Sequence, residues 1–127
     1  MLKPPQAVLY AVDLCDCEKL QSLAPEALAA LFRATLERAG AHVVEAVSHN
    51  FPGRGQTAVL ILSESHAVLH TWPEGGTVHL DIFSCSPALD SRAAVAELGR
   101  TLGARTVAIQ EIPRADGHPI ELEPRGA

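Results

Sequence analysis

Aromatic residues are scarce in this chain of 127 residues, where one Trp, one Tyr and three Phe amount to 4% of the sequence. The hydrophobic content of 47% is nevertheless ordinary for a globular protein, so a core can form. That core must consist mainly of Val, Leu, Ile and Ala side chains. The length suits one compact domain, and we expect residues 1–127 to form a single domain.

Several other features are missing, and each absence argues against a class of protein. No apolar run reaches the roughly 18 residues that a membrane-spanning helix needs. Residues 1–6 lack the apolar stretch of a signal peptide. Three cysteines, an odd number, make no disulfide framework, and a net charge of -5 disfavours nucleic acid. We therefore expect a cytoplasmic protein with free thiols and neither a membrane nor a nucleic-acid partner.

Apolar periodicity predicts six strands and two helices. One helix begins at Pro25 and ends near Gly40, and the other begins at Asp90 or Ser91 and ends near Gly103. The predicted strands are 6–14, 42–48, 57–63, 66–72, 77–84 and 105–112. This order favours an α+β two-layer sandwich, with a largely antiparallel sheet and two helices on one face. The other face of the sheet is available to a second subunit, and we expect a homodimer.

Residues 63–74 concentrate hydroxyl, carboxylate, imidazole and indole groups within an otherwise apolar sheet, and read Ser-Glu-Ser-His-Ala-Val-Leu-His-Thr-Trp-Pro-Glu. Polar groups in such surroundings must be hydrogen-bonded or functional. No Gly-x-Ser-x-Gly segment of a serine hydrolase is present. His66, His70, His79 and Cys85 are metal-binding types, but histidines of alternating parity on separate strands need not converge. We expect no metal.

Three segments carry a more specific signal through their joint spacing. They are Ser-Glu-Ser-His at 63–66, His-Thr-Trp-Pro-Glu at 70–74 and Asp-Ile-Phe-Ser-Cys at 81–85. Together they resemble the signature of the short prokaryotic S-adenosylmethionine decarboxylases. The resemblance covers about Phe51 to Cys85, and outside that stretch only the element order and the length agree.

The resemblance implies that the chain cuts itself. In this family the hydroxyl matching Ser65 attacks the carbonyl of the preceding residue, here Glu64, and elimination then divides the chain. The products here would be a β chain of residues 1–64 and an α chain of residues 65–127, with Ser65 converted to a pyruvoyl group. That group replaces pyridoxal phosphate, condenses with the substrate amine and accepts electrons as carbon dioxide leaves.

The resemblance also implies roles for individual residues. Ser65 matches the pyruvoyl precursor, His70 the acid or base that serves processing, and Cys85 the donor that protonates the substrate after decarboxylation. Thr57 stands where the family often has a serine that assists the ester step. A catalytically inactive homologue that supports an active partner is an alternative of another class. The presence of Ser65, His70 and Cys85 together favours the enzyme.

The substrate implied by the resemblance is S-adenosylmethionine, decarboxylated to supply aminopropyl groups for spermidine and other polyamines. Phe51 and Trp72 match aromatic positions near its adenine, and Glu74 is a candidate acceptor for the ribose hydroxyls. Relatives with the same self-cleaving core resemble ornithine or arginine decarboxylases instead. Such a substrate needs a carboxylate for its far cation, and Glu74, Asp81 and Asp13 are candidates.

The chain departs from the family pattern around this pocket. Residues 5–7 read Pro-Gln-Ala where Gly-Arg-His is common, and Ser86 stands where glycine is usual. No aromatic residue follows Glu74 within the next three positions. These departures touch the substrate pocket rather than the self-cleavage.

Overall fold

The computed structural model describes residues 6–123, which form one six-stranded sheet and two α-helices. The strands are β1 (Val8–Cys15), β2 (Val43–Phe51), β3 (Gly55–Leu62), β4 (Ser65–Trp72), β5 (Thr77–Ser84) and β6 (Thr106–Pro113). The helices are α1 (Pro25–Arg38) and α2 (Ser91–Leu102). Every strand pairing is antiparallel, and the spatial order is β2-β3-β4-β5-β1-β6. The predicted α+β class is confirmed.

The helix ends follow the local signals in the sequence. Pro25 occupies the first turn of α1, where its missing N–H is no loss. The Asp90 carboxylate accepts a hydrogen bond of 3.0 Å from the backbone N–H of Ala93 and caps α2. Gly40 follows α1 with a φ of 110°, and a Cβ there would lie 2.0 Å from the carbonyl oxygen of Ala88. Only glycine fits at this position.

Strand boundaries differ from the predicted ones by a few residues. β2 continues to Phe51 because its ladder with β3 runs to the pair Phe51–Gly55. β4 begins at Ser65, one residue earlier than predicted, because Ser65 pairs with Leu62 across a two-residue turn. Both extensions follow from hairpin pairing, which single-strand periodicity does not register.

The two faces of the sheet have different surroundings. Both helices pack on one face, where alternate strand residues and the inner sides of the helices form a single core. Its fully buried members include Leu14, Phe32, Leu36, Leu69, Leu80, Ile82, Leu98 and Leu102. We call the uncovered face the open face. It carries large apolar side chains that are 39–56% exposed, namely Val47, Phe51, Ile61, Trp72 and Ile112.

The chain after β6 has no helix or strand from residue 114 to residue 123. Within the described part of the chain, neither helix has the length and apolarity needed to cross a bilayer.

Candidate active site

Ser65 stands at the end of a tight hairpin. Ser63 and Glu64 form the two-residue turn between β3 and β4, and Ser65 is the first residue of β4. Glu64 has a φ of 63°, in the left-handed region, which costs about 1–2 kcal/mol for a residue with a Cβ. The Ser65 hydroxyl is buried without a hydrogen-bond partner among the described residues, at a cost of about 1–3 kcal/mol. Two unfavourable features therefore meet at the Glu64–Ser65 peptide bond.

Cys85 lies against the same peptide bond. It directly follows β5, the neighbour of β4, and its thiol donates a hydrogen bond of 3.3 Å to the carbonyl oxygen of Glu64. A thiol is a weak donor, but it can polarise the carbonyl that it contacts. We call the region of Glu64, Ser65 and Cys85 the cleavage end of the sheet, after the self-cleavage that the resemblance implies.

His70 belongs to a second group of predicted residues. It lies directly opposite Thr57 in the β3–β4 ladder, and the Thr57 hydroxyl oxygen is 2.7 Å from Nδ1 of the ring. The other ring nitrogen, Nε2, is buried without a partner among the described residues. The centroids of the Trp72 and Phe51 rings lie 4.5 and 6.4 Å from that of His70. Aromatic rings and Thr57 thus fix the orientation of the imidazole.

Glu74 lies beside this group on the surface. It belongs to a short 3-10 helix, Pro73–Gly75, that follows β4, and it is exposed. Trp72 and Glu74 share a shallow cleft of about 100 Å³, lined also by Gly53, Arg54 and Pro73. We call the region of Thr57, His70, Phe51, Trp72 and Glu74 the histidine end.

The structure does not bring the two groups together within one chain. His70 is five residues from Ser65 on the same strand, a separation of about 16 Å at the usual rise of a strand. An odd separation also places their side chains on opposite faces of the sheet. His70 therefore cannot act on Ser65 of its own chain in this fold.

Two further polar residues, His79 and Asp13, lie in line with His70 across the neighbouring strands. His79 lies opposite His70 in the β4–β5 ladder, and Asp13 lies opposite His79 in the β1–β5 ladder. The Asp13 carboxylate is 2.7 Å from Nδ1 of His79. Sequence reasoning had considered Asp13 only as an acceptor for a substrate cation and His79 only as a metal ligand. Both β1 and β5 have the residue pattern of a strand, which indicates that the two could pair. The sequence does not predict the register that sets Asp13 opposite His79.

The described residues hold no cluster of three or more His, Cys, Asp or Glu side chains arranged for a metal ion.

Arg114, which directly follows β6, is a further residue that sequence reasoning missed. Its guanidinium carbon lies 5.7 Å from the centroid of the Phe83 ring, two residues before Cys85.

Comparison with known proteins decides the family. The family model described as S-adenosylmethionine decarboxylase matches residues 8–115. The chain belongs to this family. It is 37% identical over 111 residues to an S-adenosylmethionine decarboxylase proenzyme of Shouchella clausii, with 87% of this chain and 84% of the relative covered. It is 35% identical over 109 residues to S-adenosylmethionine decarboxylase proenzyme 2 of Halalkalibacterium halodurans, with coverages of 86% and 84%.

A solved structure supports the fold of this S-adenosylmethionine decarboxylase family member. The crystal structure of the adenosylmethionine decarboxylase from Aquifex aeolicus VF5 superposes with a TM-score of 0.75, over 95% of this chain and 100% of that one. The two sequences are 20% identical, so the likeness concerns the architecture. The resemblance noted from residues 51–85 is thus confirmed at the level of the family.

Proposed function

We propose that this protein is a pyruvoyl-dependent decarboxylase that forms its cofactor by cleaving itself between Glu64 and Ser65, and that it acts on S-adenosylmethionine. Family membership supports the decarboxylation. The observation that carries the self-cleavage is the geometry of one peptide bond. Glu64 is held in a left-handed conformation, the Ser65 hydroxyl is buried and unpartnered, and the Cys85 thiol contacts the Glu64 carbonyl.

The cleavage begins with an exchange of bonds at this peptide. The Ser65 hydroxyl oxygen adds to the carbonyl carbon of Glu64, its proton is taken up, and the peptide nitrogen leaves as an amine. An ester then replaces the amide. The Cys85 thiol is placed to stabilise the negative charge that develops on the carbonyl oxygen. The strained turn and the desolvated hydroxyl both raise the free energy of the uncleaved state, which favours the exchange.

Elimination completes the cleavage and requires a base. Removal of the α-hydrogen of Ser65 breaks the bond between its Cβ and the ester oxygen, which leaves with Glu64 as a carboxylate. The resulting dehydroalanine takes up water and releases ammonia to give the pyruvoyl group. His70 suits the role of base in the tautomer whose Nδ1–H donates to Thr57, because Nε2 then presents its lone pair.

A second copy of the chain would supply that base. The histidine end and the cleavage end lie about 16 Å apart along the sheet. A two-fold axis normal to the open face's strands would place each end of one copy against the opposite end of its partner, twice in one dimer. The partner's His70 would then approach the Ser65 backbone, which carries the α-hydrogen, and not the Ser65 hydroxyl on the other face. The apolar open face offers a surface for such pairing, since sheets pack face to face through apolar side chains. We therefore propose a homodimer with two composite sites.

The histidine end is suited to the adenosyl part of the substrate. Trp72 and Phe51 offer faces for an adenine ring and for the sulfonium cation. Glu74, in the cleft beside Trp72, can accept hydrogen bonds from the two ribose hydroxyls. The amino-acid part would then extend toward Ser65 and Cys85 of the other copy. Decarboxylation would yield an aminopropyl donor for polyamine synthesis.

The residues of the cleavage end fit a pyruvoyl cofactor. Once formed, this group supplies an electrophilic carbonyl that accepts the electrons released with carbon dioxide. The Ser65 hydroxyl oxygen is buried although the residue is only partly so, and this position would limit the access of water to that carbonyl. The Cys85 thiol, which contacts the Glu64 carbonyl next to Ser65, would be the group that returns a proton to the substrate carbon.

Two measurements test the proposal. Intact mass spectrometry of the purified protein should show fragments 1–64 and 65–127, the second lacking an amine and reacting with hydroxylamine. The matched control Ser65→Ala should remain whole. Carbon dioxide release is then compared for carboxyl-labelled S-adenosylmethionine, ornithine and arginine. An intact chain after long incubation would refute self-cleavage, and release from ornithine or arginine alone would refute the substrate.

A further inference from the structure

Arg114 reaches from the edge of the sheet toward the cleavage end. Its backbone N–H donates a 2.9 Å hydrogen bond to the carbonyl oxygen of Ala7, which fixes its position just after β6. Its side chain crosses β1 and lies over Phe83 of β5, with the guanidinium carbon 5.7 Å from the ring centroid. His66 lies opposite Phe83 in the β4–β5 ladder, and its ring stacks on that of Phe83 with the centroids 5.2 Å apart. His66 directly follows Ser65.

The charge of Arg114 has no acidic partner within residues 6–123. Four other arginines form ion pairs there: Arg33, Arg38, Arg92 and Arg105. A cation over an aromatic ring at an exposed site gains only about 0.5–1 kcal/mol, so this contact leaves the guanidinium free to take a stronger partner. Its five N–H donors suit the two oxygens of a carboxylate.

We propose that Arg114 is the counter-ion of the carboxylate that self-cleavage creates on Glu64. This inference rests on the proposed function. Before cleavage, the Glu64 carbonyl is part of an uncharged amide and contacts the Cys85 thiol at 3.3 Å. When the bond between the Ser65 Cβ and the ester oxygen breaks, the electron pair stays on that oxygen. Glu64 then ends the β chain with a full negative charge.

The distance to be covered is within the reach of an arginine side chain. Phe83 and Cys85 are two residues apart, which corresponds to about 7 Å along the chain. A rotation of the Arg114 side chain about its own bonds can move the guanidinium from the Phe83 ring toward the Glu64 terminus. If a second copy covers the open face, exclusion of water strengthens the pairing.

The pairing would serve the reaction in a second way. A free carboxylate at Glu64 would repel the carboxylate of an incoming amino-acid substrate at the neighbouring residue. Neutralisation by Arg114 removes this repulsion and holds the new chain end away from the reacting carbonyl.

The test is a comparison of cleaved and uncleaved protein. Arg114→Gln is made in the parent, which cleaves, and in Ser65→Ala, which has no Glu64 carboxylate terminus. We expect the substitution to lower Tm by about 3 °C more in the cleaved protein, as one partly exposed ion pair would. High salt should shrink this difference. Arg114→Lys should recover part of it.

Arg100→Gln is the matched control, because Arg100 is exposed on α2, on the helix side of the sheet, and has no ion pair within residues 6–123. It should change Tm equally in both backgrounds. An equal decrease for Arg114→Gln in cleaved and uncleaved protein would overturn the inference. Mass spectrometry on the same samples separates this result from a failure of self-cleavage, in which the parent itself would remain a single chain.

Discussion

The Thr57 hydroxyl oxygen lies 2.7 Å from Nδ1 of His70, and the two residues face each other directly across the β3–β4 ladder. This contact determines which imidazole nitrogen is free. Thr57→Val keeps the shape of the side chain and removes the hydrogen bond, so we expect self-cleavage to slow by about tenfold. Thr57→Ser keeps the hydroxyl and should cleave at nearly the parental rate. The time course of fragment formation after expression gives both rates.

The separation of His70 from Ser65 leads to a prediction of complementation between chains. Neither Ser65→Ala nor His70→Ala should cleave by itself. When the two variants are co-expressed with different tags, the mixed dimer has one intact composite site, made of Ser65 from one chain and His70 from the other. The His70→Ala chain should then be cut, and the Ser65→Ala chain should stay whole.

Mass spectrometry of each tagged chain reads the result. A His70→Ala chain that stays intact in verified mixed dimers would contradict a site shared between copies. The double variant Ser65→Ala/His70→Ala is the control, because it should not rescue the His70→Ala chain.

Cys85 is predicted to affect two stages. Cys85→Ala removes the thiol that donates a 3.3 Å hydrogen bond to the Glu64 carbonyl oxygen. Cleavage should then slow by about fivefold, as expected for the loss of one weak hydrogen bond. After cleavage, Cys85→Ala should release carbon dioxide but lose activity during turnover, because a proton that adds to the cofactor carbon and not to the substrate carbon would convert the cofactor carbonyl to an amine. Mass analysis of the α chain should show an amine replacing the carbonyl. A variant that turns over as long as the parent would contradict the role of proton donor.

Glu64 provides a test of strain at the cleaved bond. In the Ser65→Ala background, Glu64→Gly removes the free-energy cost of holding a residue with a Cβ at φ 63°. This gain exceeds the conformational-entropy cost of the new glycine by about 0.5–1 kcal/mol. Tm should rise by about 2–4 °C. Glu64→Ala, which keeps the Cβ, should give no such increase. If both variants shifted Tm equally, the left-handed conformation would not be a source of strain.

Cys17 gives a prediction about pH. Burial, followed by the neighbouring Cys15 and Asp16, raises the pKa of the Cys17 thiol to about 11. The folded state thus favours the protonated thiol, and its contribution to stability is present below the ordinary thiol pKa and lost as pH rises toward 11. Iodoacetamide at pH 8 should leave Cys17 unlabelled in the folded protein and label it after unfolding. Tm should fall less between pH 9 and 11 in Cys17→Ala.

The sequence alone predicted the elements of this fold because their signals are local. Pro25, Asp90 and Gly103 marked helix ends through backbone geometry and capping, and the alternation in 77–84 marked a strand with one buried face. The joint spacing of segments 63–66, 70–74 and 81–85 also indicated the family, which the comparisons confirmed. These patterns depend on neighbours along the chain and need no knowledge of distant contacts.

Only the tertiary structure decided which of the candidate residues lie together. Pairing in the β3–β4 and β4–β5 ladders set Thr57 and His79 on either side of His70, and the β5–β1 pairing joined His79 to Asp13. The same strand that carries both Ser65 and His70 holds them about 16 Å apart. Register and strand order result from the packing of the whole core, because a shift of one residue would reverse every side chain of a strand between the helix-covered face and the open face.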